Sequence, residues 1–185
     1  MNDAASLRDL RDRPFELLLE MERRAVRVAA GRGLETGVQT EWVGVAFRIG
    51  RHLFVSARAQ VREILTYPGV TRVPGSKSWL KGLANVRGQL LPIIDMNEFF
   101  GGEETLPGRA TRVVAINHDE VPAGLLVDEV RGFRRFHRDE MRTGNAPAPA
   151  FAPFVTGVFE RGEERWYVMD LMRLAESQTF LQAAE

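Results

Sequence analysis

The hydrophobic rhythm of the chain changes near residue 40. Before it, Phe15, Leu18, Leu19, Val26 and Ala29 recur at helical spacing. Asp12 and Pro14 supply start signals, and Gly31 and Gly33 supply the stop. One amphipathic helix of about four turns is therefore predicted over residues 14–30. A helix of that length is marginal alone in water and has to dock on something. Its glycine-punctuated exit, GRGLETG, reads as a linker, so residues 1–40 are expected to form an extension outside the main domain.

After Glu41 the period drops to two. Val43, Val45, Phe47 and Ile49 alternate with Gly44, Ala46 and Arg48 before a Gly50-Arg51 turn, and residues 53–56 continue as the hairpin partner. The stretch VREIL at 61–65 fits a strand or a helix end, because so short an apolar run has no decisive period. Tyr67-Pro68-Gly69 and Pro74-Gly75 punctuate the chain. Residues 89–96 (QLLPIIDM) read as an apolar strand that Pro92 pushes toward a sheet edge or a bulge. Two further strands, 111–117 and 123–130, flank an HDEVP turn, and 156–161 and 165–170 form a last hairpin around Gly162. Residues 171–175 close with a helical turn, and 177–185 remain as a tail. The stretch NAPAPAFAP at 145–153 reads as an extended loop. At least eight short strands with Gly/Pro turns, and helix only in short pieces, predict a mainly β barrel or sandwich.

Composition narrows the function classes. The 185 residues carry 25 Lys+Arg against 25 Asp+Glu, so no long-range field draws the chain to nucleic acid or an anionic membrane. Arginine dominates the cations, with only Lys77 and Lys81 as lysines. There is no cysteine, which removes disulfides, thiolate metal sites and thiol catalysis. No apolar run approaches the ~18 residues that span a bilayer. The N-terminus lacks the apolar core of a secretory signal, so a cytoplasmic location is expected.

Enzyme motifs fail one by one: no Walker loop, no HExxH, no GxSxG and no EF-hand loop occur. His52, His118 and His137 never stand in ligand spacing. No catalytic residue, metal ligand or cofactor is therefore expected. Asp95, Asp128 and Asp170 each follow an apolar strand. Asp95 and Asp170 precede short helical turns and read as N-caps rather than acids for catalysis. The densest basic stretch, RGFRRFHRDEMR at 131–142, interleaves five Arg with Phe133 and Phe136. It could stack and neutralise a nucleic-acid strand, which makes a small-barrel nucleic-acid or ligand module the alternative reading. The competing reading is a turn or bulge that buries both rings and leaves the arginines wet.

The informative constellation runs from Trp79 to Asp95. Gly82 and Gly88 bracket a segment where backbone passes close or adopts positive φ. Asn85 is placed to close a turn through its amide. Arg87, between apolar strands, is expected to bury its stem and to find a carboxylate, with Glu63 the natural candidate.

The string GLANVRGQLLPIIDMNEFFG, from Gly82 through Asn85, Arg87, Gly88, Pro92 and Asp95, resembles the central signature of CheW-like domains. FRIGRHLFVSARAQVREIL is similar to that family's opening hairpin and following strand, and TRVPGSKSWLKG to its approach to the signature. AGLLVDEVRGF and TGVFERGEERWYVMDLMRL are similar to its later strand and closing hairpin, so the resemblance covers roughly residues 41–176. The leading segment further resembles the CheW-like adaptors of type IV pilus (twitching) systems, the PilI type. The resemblance implies two packed five-stranded SH3-like barrels with a groove between them, and no catalysis. It implies partners too: the cytoplasmic tip of a methyl-accepting chemotaxis receptor and the regulatory domain of a CheA-like histidine kinase. Neither nucleic acid nor membrane insertion is implied, and the membrane arrays are reached through protein partners. Carried over by position, Val61, Glu63, Ile64, Arg87 and Val127 fall on the receptor side. Val70, Thr71 and Val73 fall where the first barrel meets the kinase. The chain departs from the pattern in its N-terminal extension and in the basic run, where the family continues with apolar residues.

Overall fold

The computed structural model describes residues 41–183. The helix expected over 14–30 lies outside the described residues. Ten strands run in chain order: β1 (Glu41–Ile49), β2 (His52–Ala57), β3 (Val61–Thr66), β4 (Leu80–Val86), β5 (Gln89–Asp95), β6 (Arg112–Ile116), β7 (Gly124–Val127), β8 (Glu129–His137), β9 (Val155–Arg161) and β10 (Glu164–Met169). Helix is confined to short pieces, α1 (Met96–Phe99), α2 (Leu171–Ala175) and α3 (Gln178–Leu181), and to single 3-10 turns.

The strands form two five-stranded sheets, β8-β1-β2-β10-β9 and β3-β6-β7-β5-β4. Each sheet closes on itself through one bridge just past a terminal strand. Arg142, beyond β8, pairs with Val158 of β9, and Thr71, beyond β3, pairs with Leu83 of β4. Thr71 and Leu83 exchange both backbone hydrogen bonds at 2.8 Å. The expected mainly β, two-barrel architecture is therefore present. One barrel, here the central barrel, uses one continuous segment, 61–127; the other, the flanking barrel, is assembled from the chain on either side of it.

Three apolar clusters result. Ala46, Val55, Phe136, Phe159, Trp166 and Val168 fill the flanking barrel. Ala84, Leu91, Ile93, Val113, Ala115 and Leu126 fill the central barrel. Val45, Phe47, Phe54, Ile94, Val114, Leu125 and Val127 join the helices α2 and α3 in a shared core. β1 thus buries both faces, Ala46 inward and Val45 and Phe47 toward the shared core.

Four local expectations resolve. VREIL is a strand, its ladder running from Val61 opposite Ile116 to Thr66 opposite Arg112. The apolar stretch 123–130 is two strands rather than one, because the chain leaves the central barrel at Asp128 and enters the flanking one. The Asp128 carboxylate pins that crossing, accepting from Gly50 N at 2.7 Å and Asn97 Nδ2 at 3.1 Å. Pro92 sits on an inner strand of its sheet, at a position that is locally an edge. β7 pairs with β5 only from Ile93 onward, so at Pro92 the ladder has β4 alone as neighbour and the missing N–H costs nothing on the other side. Finally, the segment 177–185 contributes α3, whose Ser177 cap accepts from Phe180 N and whose Phe180 ring is buried 5.6 Å from Phe99.

Candidate functional site

The β4–β5 hairpin ends at the Val86–Gln89 pair, leaving Arg87-Gly88 as a two-residue loop. Their φ values, 51° and 84°, make it a type I′ turn. Arg87 is the one non-glycine residue with positive φ among the described residues. A side chain with a Cβ costs about 1 kcal/mol in this conformation, which glycine avoids and asparagine tolerates better. Asn85 closes the turn as expected, its Oδ1 accepting from Gly88 N at 2.9 Å.

The turn lifts Arg87 clear of the strands. Its side chain is 80% exposed, correcting the expectation of a buried stem, while the Glu63 carboxylate it pairs with is 22% exposed. The pairing itself is as expected, Arg87 Nη2 lying 3.0 Å from Glu63 Oε2. An ion pair so exposed contributes at most about 1 kcal/mol to stability. Its consequence is positional: a guanidinium is held at the mouth of the central barrel. A cavity of about 250 Å³ opens there, with Arg62, Glu63 and Arg87 at its rim and Leu91, Ala115 and Ile116 below.

Around this hairpin the structure separates the expected residues into two groups. Val61 and Val127 are buried in the shared core and Ile64 is half-buried against it, so none of the three joins Glu63 and Arg87 in lining the cavity. Thr71 is exposed, Val70 and Val73 half-buried, and all three belong to the central barrel. Val73 lines a second, apolar cavity of about 370 Å³ with Leu83, Pro92, Ile94, Val121 and Leu181. Gly82 stands at the barrel's closure with φ 141°, and a Cβ there would collide with the Thr71 carbonyl. Asp95 is wholly buried and caps α1, accepting from Asn97 N at 3.0 Å and from Thr105 N and Oγ1 at 2.7 Å each. Asp170 caps α2 in the same way, accepting from Met172 N at 3.0 Å.

Beside the closure, Lys81 bridges Glu98 at 2.7 Å and Glu104 at 2.5 Å. Burial pulls its ammonium pKa down, but the hydrogen bonds to the two carboxylates outweigh this and hold it above the usual lysine value. Lys81 thereby ties β4 to the loop after α1.

Phe133 was missed. Both rings of the basic run were expected to be buried, but β8 is extended, so residues three apart face opposite ways. Phe136 points into the flanking barrel, while Phe133 pairs with Val45 and stays 59% exposed beneath the Arg58 guanidinium, 5.7 Å from its centroid. The odd separation within a strand was the signal that could have found it. The arginines of the run are largely engaged. Arg131 pairs with Glu129 at 3.3 Å and Glu164 at 3.2 Å, and Arg135 with Glu41 at 3.5 Å. Arg134 lies 5.7 Å from the Trp166 ring. Among the described residues, no cluster of acids or histidines has the form of a metal site, and no helix is long and apolar enough to cross a membrane.

Comparison with known proteins decides the family. A CheW-like domain model matches residues 43–179. The chain belongs to the CheW-like family. Protein PilI of Pseudomonas aeruginosa is 41% identical over 172 residues, covering 92% of this chain and 96% of that protein. That likeness groups this CheW-like chain with adaptors of the PilI type. Chemotaxis protein CheW of Klebsiella aerogenes is 28% identical over 157 residues, 80% of this chain and 92% of its own length. The scaffolding protein TtCheW of Thermoanaerobacter tengcongensis superposes with a TM-score of 0.66 at 21% identity, over 75% of this chain and 94% of its own. That likeness carries the two SH3-like barrels. CheW-like proteins are non-catalytic scaffolds, and this chain is one of them.

Proposed function

We propose that this chain couples the cytoplasmic tip of a methyl-accepting chemotaxis receptor to the regulatory domain of a CheA-like histidine kinase, within an array that controls type IV pilus twitching. The observation that carries this reading is that the cavity at Glu63 and Arg87 and the apolar cavity at Val73 are separate. They share no lining residue, so two partners need not compete for the same side chains. The cavity at Glu63 and Arg87, whose lining includes Val86, Leu91 and Ala115, suits an amphipathic receptor helix: apolar anchors meet apolar walls and a charge-assisted bond sets register. The apolar cavity beside Thr71 and Val73 suits the face of a second barrel. A scaffold biases a kinase only by contacting its two states unequally, and a rigid barrel joining both faces provides the means. The PilI likeness favours twitching over swimming. In this reading the chain is cytoplasmic and reaches the membrane arrays only through its protein partners.

Titration against a receptor signalling tip and, separately, a CheA-like regulatory domain from the same genome tests this. Binding to both is expected. Arg87→Ala should weaken the tip about tenfold or more and spare the kinase domain, and Val73→Asp should do the reverse. A folded protein that binds neither would overturn the proposal. Loss of the chain should abolish twitching and leave swimming intact.

A further inference from the structure

The cavity at the mouth of the central barrel has an uneven charge. Its rim holds two guanidinium groups, Arg62 and Arg87, against the single carboxylate of Glu63. The chain as a whole is neutral, so this excess is local. Arg62 is exposed and makes no ion pair with another described residue. Arg87 offers Glu63 one nitrogen at 3.0 Å, and a guanidinium carries five N–H donors in a planar fork. Most of that fork is free to receive a second acceptor.

Backbone strain points the same way. The Arg87 position favours glycine, asparagine or aspartate, yet it presents a long cation, at φ 51°. Strain of this kind persists where the surrounding structure holds a side chain for a purpose. Below the rim, Leu91, Ala115 and Ile116 make an apolar floor. The combination, two guanidinium groups over an apolar floor, fits a side chain with a methylene stem and a carboxylate head.

We infer that Arg62 joins Arg87 in a socket that receives one glutamate side chain of the partner helix, its stem on the floor and its carboxylate between the two guanidinium groups. The inference rests on the reading of this face as the receptor-binding one. It adds that Arg62, which the sequence did not single out, decides which partner helices are accepted: those with a glutamate at this register.

The test compares wild type, Arg62→Gln and Arg62→Glu for binding to the receptor signalling tip across a salt series, with each tip glutamate also replaced by glutamine. Thermal unfolding confirms that the variants are folded. Arg62→Gln should weaken the tip about tenfold and flatten the salt dependence, as loss of a partly exposed charge-assisted bond does. One tip Glu→Gln change should cause the same loss and add nothing to Arg62→Gln. Placing lysine at that tip position should restore binding to Arg62→Glu. If the tip binds wild type and Arg62→Gln with equal affinity and salt slope, or if no tip glutamate couples to Arg62, the socket is wrong while the adaptor reading stands. If the folded wild type does not bind the tip, the receptor reading fails and the socket fails with it.

Discussion

The two barrels have the same number of strands and opposite fillings. The flanking barrel is plugged with rings: Phe136 and Phe159 stack at 4.2 Å between centroids, with Trp166 and Trp42 tilted around them. The central barrel is filled by small and aliphatic side chains, Ala84, Ala115, Val113, Leu91, Ile93 and Leu126. The guanidinium of Arg161 lies over the Phe136 ring at 4.7 Å and covers that end of the ring cluster. Aliphatic chains leave a cavity at the mouth, and the Glu63–Arg87 pair stands over it. Every expected contact residue lies on the central barrel, and the flanking barrel adds Phe133. On the proposed function, the ring-filled barrel serves rigidity and the barrel with the cavity serves recognition.

The largest expected effect falls on the plug. Phe159→Ala should lower stability by about 3–5 kcal/mol and Leu126→Ala, its counterpart in the central barrel, by about 2–5. Residues from Glu41 onward form one compact unit and the shared core joins the barrels, so denaturant should unfold both in a single transition. Two separated transitions would break the idea that the fillings serve one cooperative body.

The two closures come next. At Gly82 an added Cβ strikes the rigid carbonyl of Thr71 from a left-handed backbone, whereas at Gly157 it strikes the flexible Met141 side chain. Gly82→Ala should therefore cost about 1–3 kcal/mol and disturb kinase-domain binding. Gly157→Ala should cost less, as calorimetry can verify; equal costs would refute the difference in rigidity.

A smaller change sharpens the division between stability and recognition. Arg87→Asn relieves the type I′ strain and loses an exposed ion pair, so stability should change by under about 0.5 kcal/mol. Receptor-tip affinity should nevertheless fall about tenfold. A parallel loss of both would make Arg87 a structural residue.

The smallest effect concerns pH. His52, on the flanking barrel, meets Phe151 and Tyr167 edge-on at 6.0 and 6.3 Å. Burial, aided by the Arg51 charge, holds its pKa below the usual imidazole value. The unfolded chain then takes up the proton more readily. The stability that follows is complete above the unfolded value, near 6.5, and is lost as pH falls through it toward the lower folded one. The melting temperature should drop slightly over that window in wild type and not in His52→Gln.

Much of this was legible because it is local. The first hairpin, the Asp95 and Asp170 caps and the Asn85–Gly88 turn depend on neighbours within a few residues. The Glu63–Arg87 pair was legible through charge, since few acids stood on nearby strands. What escaped depended on assembly. A run of apolar residues says nothing about changing barrels, so the break at Asp128 was hidden. Arg87's exposure follows from the hand of a two-residue turn, and Phe133's from the extended path of β8. Pro92's one-sided pairing on an inner strand follows from where β7 happens to begin.

The break at Asp128 also bears on the order in which the molecule is made. The central barrel's strands all lie within residues 61–127, whereas the flanking barrel waits for β10 to pair with β2 at Trp166 and Leu53. Contacts close in sequence form faster than distant ones, and chains fold as they emerge from the N-terminal side. During synthesis the recognition barrel can therefore close around its own segment while the plug that steadies it is still being translated. The last hairpin is the step that commits the whole.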